Sequence, residues 1–147
     1  MDPDAGEKAQ PNPNSAVVWR YRGSAADPEQ ADFKSTMHRA LASVTIADGL
    51  LVIGDLPGLV HCLDAKTGKA YWTHDLQGEI WAPALIADGK IYVSTAEGEV
   101  AVFALSKEEK LLGKNEVGSG VNTPPVVADG LMYIATKTHL IAIGPKK

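Results

Sequence analysis

A chain of 147 residues, 45% of them apolar, is long enough to bury the core of one ordinary domain, which excludes a disordered tail or a disulfide-stapled miniature. The net charge of -4, with Lys and Arg scattered, leaves no basic stripe for a nucleic-acid backbone, and the single Cys62 excludes an internal disulfide and any CxxC pair. No stretch approaches the roughly 18 apolar residues of a membrane-spanning helix, and the opening residues Met1 to Lys8 lack the apolar core of a secretion signal.

In chain order, residues 1–14 set Pro3, Pro11 and Pro13 among Asp, Asn and Gln and read as an unstructured leader. Residues 15–37 read as a strand followed by a connector. Ala16-Val17-Val18-Trp19-Arg20-Tyr21 places a tryptophan after β-formers, and Asp27-Pro28-Glu29-Gln30 supplies an N-cap, a proline at the first helical position and a capping partner. A short helix is predicted over 28–36.

From residue 38 the chain repeats. Ile46-Ala47-Asp48-Gly49, Ile86-Ala87-Asp88-Gly89 and Val127-Ala128-Asp129-Gly130 recur at intervals of 40 and 41 residues. Each Asp-Gly joins two β-rich runs: 41–47 to 50–53, 81–87 to 90–93, and 121–128 to 131–134. Asp and Gly accept the positive φ of tight hairpin turns, so each is predicted to close a hairpin. A third strand follows at Leu59 to Leu63, Glu99 to Phe103 and His139 to Ile143. A fourth follows at Ala70 to His74 and, more degenerate, at Lys110 to Lys114. Four short strands per roughly 40 residues is the blade of a β-propeller. The predicted fold is all-β, a partial propeller of three antiparallel blades (38–78, 79–119 and 120–147). The third blade lacks a fourth strand, and the Trp19 segment is expected to complete it and remove a bare sheet edge.

The stretch Cys62-Leu63-Asp64-Ala65-Lys66-Thr67-Gly68-Lys69-Ala70-Tyr71-Trp72 resembles the tryptophan-docking motif A-x-D-x-x-T-G-K-x-x-W, with Cys62 in place of Ala. Together with the Asp-Gly hairpins it is similar to the PQQ-like repeats of the family that includes quinoprotein alcohol dehydrogenases and outer-membrane assembly propellers. The resemblance covers residues 38 to 144, with Trp19 as an outlying match. It implies a docking role for Asp64, Thr67, Gly68, Lys69, Trp72 and Trp19, the tryptophan stacking on a peptide plane of the neighbouring blade. The second unit has Ser106 to Lys110 and Leu111-Leu112 in these places, so its docking onto the next blade is expected to be weaker or different.

Candidate chemistry is sparse. His61 and Cys62 are adjacent on a strand, point to opposite faces and are expected to be structural. His38 and Arg39 sit where the first blade begins, near a central channel, and form the preferred functional pair. His74 and Asp75 read as surface residues and Asp55 as a turn residue. The catalytic members that the resemblance implies hold pyrroloquinoline quinone through calcium, with a catalytic aspartate and often paired cysteines. Those residues have no counterparts to carry over, and no catalytic, metal or cofactor ligand is assigned.

A closed propeller has about four to eight blades. Three blades leave two apolar faces that something must cover: a second copy making a six-bladed homodimer, blades on another chain, or a larger assembly. The expected function is a non-catalytic propeller module serving as a protein-interaction or assembly scaffold; the alternative is a fragment or diverged member of a PQQ-dependent quinoprotein oxidoreductase. Family analogy points to a periplasmic or exported location.

Overall fold

The computed structural model describes residues 13–145. The expected leader, residues 1–14, lies outside the described residues apart from its last two.

Three antiparallel sheets form in sequence order. The first contains β1 (Thr45–Ala47), β2 (Leu50–Gly54), β3 (Leu59–Asp64) and β4 (Ala70–Asp75). The second contains β5 (Leu85–Ala87), β6 (Lys90–Ser94), β7 (Glu99–Ala104) and β8 (Leu111–Glu116). The third contains β9 (Val126–Ala128), β10 (Leu131–Ala135) and β11 (Leu140–Ile143). Within each sheet every strand pairs with its neighbour in sequence. This meander is the blade predicted from the repeat.

The hairpins form for the reason the dipeptide suggested. Asp48, Asp88 and Asp129 have φ of 50°, 50° and 52°, and the glycines after them 76°, 64° and 77°. Two successive positive φ values define the type I′ turn, whose twist matches that of the strands it joins. The innermost strands are shorter than predicted, three residues each. In the second and third blades, Pro83 and Pro124-Pro125 lack the N–H that a ladder needs. Main-chain bonds outside the ladders guide the approach to each blade: Leu56 N–H donates to Arg39 O at 2.7 Å, Ala96 to Glu79 O at 2.8 Å and Lys137 to Gly120 O at 2.9 Å.

The sheets stack as a row of blades. Between the first and second lies the largest core, in which Val52, Val60, Cys62 and Trp72 meet Ile91, Val93, Ala101 and Phe103. Between the second and third, Val100, Val121 and Ile134 are buried. Thr45 Oγ1 donates to Ala84 O at 2.7 Å, tying β1 to the residue that leads into β5.

Three expectations are corrected. First, residues 16–21 do not complete the third sheet. They join no sheet, and Trp19 and Tyr21 instead pack on the outer face of the first blade with Leu51, Ile53 and Leu63. The cause is local: Trp19 fits against Gly68, described below. Second, two bare faces were expected, yet residues 19–40 form a strap that covers the first blade, leaving Leu51 at 7% and Leu63 at 2% exposed. The third blade remains open, with Leu140 at 74%. Third, the helix over 28–36 is reduced to one 3-10 turn at Pro28–Gln30. The capping chemistry is present, since Asp27 Oδ1 accepts Glu29 N–H and Gln30 Nε2 donates to Asp27 Oδ2. Asp32 then accepts the Ser35 N–H and hydroxyl, a side-chain turn that competes with continuing the helix.

Candidate functional site

Two constellations emerge from these elements, both on the first blade. One is the docking loop between β3 and β4. Asp64 Oδ1 accepts the N–H groups of Lys66 at 3.0 Å and Thr67 at 2.9 Å, and its Oδ2 accepts the Tyr71 hydroxyl at 2.9 Å. Gly68 N–H closes the loop onto Asp64 O at 2.8 Å, and Thr67 Oγ1 accepts Lys69 N–H at 3.3 Å. Lys69 contributes its main chain here, its N–H to Thr67 and its carbonyl to Asp64 N–H, while its side chain is exposed. The Tyr71 hydroxyl and, next, the Thr67 amide hold the Asp64 carboxyl down at about 2.

That shift has a sign. Because the folded value lies below the ordinary 3.8, the loop gains stability that is complete above about pH 4 and is lost as pH falls through about 2. Asp64→Asn keeps the shape but removes the titration, so the variant is expected to lose less stability than the parent on acidification. Urea midpoints across that interval check it.

Gly68 shows why the motif demands glycine. Its φ is +71°, and an added Cβ would lie 2.4 Å from Trp19 Cε3. The indole of Trp19 therefore rests directly on the Gly68 backbone. Gly68→Ala combines a disfavoured conformation with that clash and is expected to destabilise by about 2 kcal/mol while releasing the strap. A red shift of tryptophan emission and faster proteolysis near residue 19 are the readouts.

Trp72 repeats this arrangement one blade on. Its Nε1 donates to Ser106 O at 3.0 Å, and its ring stacks on Phe103 with centroids 5.3 Å apart. Ser106 belongs to the corresponding loop of the second blade. In that blade the register places Gly113, rather than Leu111 or Leu112, at the position of Trp72: Gly113 pairs with Val102 as Trp72 pairs with Cys62. The second blade thus offers no tryptophan to the third, as the degenerate sequence implied.

The second constellation was not among the sequence expectations. Asp55 and His61 are both fully buried, with His61 Nε2 3.3 Å from Asp55 Oδ2. The other ring nitrogen, Nδ1, lies 3.1 Å from the Tyr21 hydroxyl and 3.2 Å from Thr73 Oγ1. Asp55 Oδ1 accepts Leu59 N–H at 2.8 Å and Oδ2 accepts His38 N–H at 3.0 Å. Burial alone raises the Asp55 carboxyl, but the bonds from His61 and from the His38 and Leu59 amides outweigh it, leaving it below the ordinary carboxylate value. Burial raises the Tyr21 hydroxyl and pushes the Cys62 thiol up to about 11. These groups join the strap, through Tyr21 and His38, to the β2–β3 turn.

A repeat comparison gives the signal that was missed. Thr95 Oγ1 accepts Glu99 N–H and Thr136 Oγ1 accepts His139 N–H, each closing the same turn that Asp55 closes onto Leu59. A hydroxyl suffices there twice. Only the first blade uses a carboxylate, whose second oxygen is free to hold the strap.

His38 and Arg39 are neighbours in the strap rather than a convergent pair. The His38 ring stacks on Phe33 at 4.6 Å, with Nε2 3.0 Å from Phe33 O, and the Arg39 side chain is exposed. His74 Nδ1 lies 2.6 Å from Glu109 Oε1 and its ring meets the Phe103 edge, so this pair also bridges the first two blades. Among the described residues, no group of three or more His, Cys, Asp or Glu is arranged to hold a metal ion, and no helix is long and apolar enough to cross a membrane.

Comparison with known proteins follows the same lines. A family model described as outer membrane protein assembly factor BamB matches residues 9–110. The chain is 31% identical over 94 residues to BamB of Shewanella oneidensis, covering 64% of this chain and 24% of that protein. It is 32% identical over 83 residues to a quinoprotein ethanol dehydrogenase of Pseudomonas putida, covering 54% of this chain and 13% of that one. Among solved structures, BamB of Moraxella catarrhalis superposes with a TM-score of 0.61 at 27% identity, over 71% of this chain and 33% of the other. A quinohemoprotein alcohol dehydrogenase of Comamonas testosteroni shares the fold with a TM-score of 0.57 at 21% identity, over 67% of this chain and 17% of the other. The chain thus spans about a quarter or less of the curated relatives named here.

Proposed function

Since the chain belongs to the BamB family of PQQ-like propeller repeats, we propose that it works as a non-catalytic interaction module, a rigid blade array that recruits protein through its uncovered sheet. The observation that carries this is the third blade. On its outer face Leu140 in β11 and Val126 in β9 are 74% and 56% exposed, on the two strands that flank β10, whereas Val60, which holds in β3 the place of Leu140, is fully buried. Exposed apolar side chains on an uncovered sheet face favour protein contact there. The polar groups that the fold gathers serve the fold: Asp64 binds its own loop, and Asp55, His61 and Tyr21 bind strap to blade. Likeness to proteins named for outer membrane assembly supports an exported setting.

The runner-up is a piece or diverged member of a quinoprotein oxidoreductase, favoured by the match to the Pseudomonas putida enzyme. Pyrroloquinoline quinone, when bound, would supply the redox chemistry. The carboxylates gathered here do not fit a calcium-held quinone, because the oxygens of Asp55 already accept the Leu59 and His38 amides and those of Asp64 the Lys66 and Thr67 amides and the Tyr71 hydroxyl. Equilibrium dialysis with pyrroloquinoline quinone and calcium is expected to leave the chain without stoichiometric quinone. A one-to-one bound quinone spectrum overturns the scaffold reading.

A further inference from the structure

The strap and the third blade present complementary strand edges. In the first two blades the third strand is flanked by a fourth: β3 by β4, β7 by β8. No described strand flanks β11 on that side, and its edge carries the exposed Leu140 and Ile143. A bare apolar edge is a template for another strand.

Residues 17–22 have the character of such a strand. Setting Trp19 on Trp72 aligns them with 70–75 in β4, and the contacts agree. Trp72 is offered by β4 to the Ser106 loop of the next blade, and Trp19 is offered to the Gly68 loop of the first. Two residues on, His74 meets the edge of the Phe103 ring, and Tyr21 meets His61 edge to face at 5.5 Å. Residues 19 and 21 thus present one face to the first blade as residues 72 and 74 present one to the second. Yet residues 16–21 belong to no sheet, and Val17 and Val18 are 54% and 87% exposed. The segment sits as the fourth strand of a blade that would precede the first.

The two halves lie at opposite ends of the row, the strap against the first blade and β11 beyond the second, so one chain in this arrangement does not join them. We propose that residues 16–21 of one copy complete the β11 edge of a second copy, joining this chain to itself head to tail. The β3–β4 register fixes the pairing. Cys62 faces Trp72, Val60 faces His74 and Leu63 faces Ala70, which transposes to Ala142 facing Trp19, Leu140 facing Tyr21 and Ile143 facing Val17. Such a contact is heterologous, and the wedge angle of the blades sets how many copies close the ring. The inference rests on the interaction-module reading and names its partner.

The test uses the 147-residue chain in two single-substitution forms, Val17→Cys and Ile143→Cys, both at exposed sites. Mixed and oxidised, they are expected to give a disulfide-linked pair that neither form gives alone, and the parent is expected to scatter light as two or more copies of the 15.6 kDa chain. Leu140→Lys, at the exposed edge, is expected to weaken association by about tenfold or more while leaving the β-sheet circular dichroism intact. A monodisperse 15.6 kDa species overturns the proposal. So does an assembly without the 17–143 link, or a chain carrying both cysteines that cross-links within itself. Quinone uptake with calcium overturns the parent reading by a separate signal that leaves the mass and cross-link readouts unaffected.

Discussion

Trp72→Ala is expected to lower stability by about 3–5 kcal/mol, the usual range for removing a buried tryptophan. The side chain is 7% exposed, and it contributes in three ways. It fills the centre of the core between the first two blades, stacks on Phe103, and satisfies the Ser106 carbonyl. Because blades meet only their neighbours, the loss falls on one interface rather than across the molecule. The expected result is a lower urea midpoint and a broader transition, with the first blade unfolding ahead of the second. Trp72→Phe keeps the stacking and forfeits the N–H, so it is expected to cost roughly 1–2 kcal/mol. Equal effects from the two substitutions would show that the hydrogen bond, and not the packed ring, dominates.

Asp55→Ala is expected to cost about 3 kcal/mol or more, because it strands a buried donor at Leu59 and a half-buried one at His38 and removes the partner of the buried His61. Asp55→Thr separates the two jobs of this carboxylate. Thr95 and Thr136 close the matching turns of the other blades with a hydroxyl alone. The threonine variant is therefore expected to retain the first blade but to loosen the strap, seen as loss of amide protection at His38 with β2 and β3 protection kept. Loss of protection in both places would place the main role of Asp55 in the turn itself.

The blades were legible because each is specified by local features. The Asp-Gly pairs accept positive φ wherever they occur, and the β-rich runs beside them have no better partner than each other. The docking loop was legible likewise, since Asp64 to Gly68 bonds largely within itself. The strap was not. Its place depends on whether Trp19 meets Gly68 or the edge of β11, and a sequence shows a tryptophan after β-formers without showing which glycine it meets. The Asp55–His61–Tyr21 contacts were hidden for a related reason: their members are 6 and 40 residues apart and none forms a pattern by spacing. Periodicity, compared position by position, marks Asp55 as the one carboxylate in a hydroxyl place.

The strap also bears on how the chain acquires its structure. Every ladder in the blades joins strands adjacent in sequence, so each blade closes through short loops and its pairing can form early. The strap contacts run from Trp19 to Gly68 and from Tyr21 to His61, across 40 residues or more, and they require the first blade as a finished surface. Docking of the strap is then expected to be the last step of folding and the first to be reversed. In the interval before it, the nascent first blade carries Leu51, Ile53 and Leu63 uncovered, which makes that interval the moment at which the chain is most prone to aggregate.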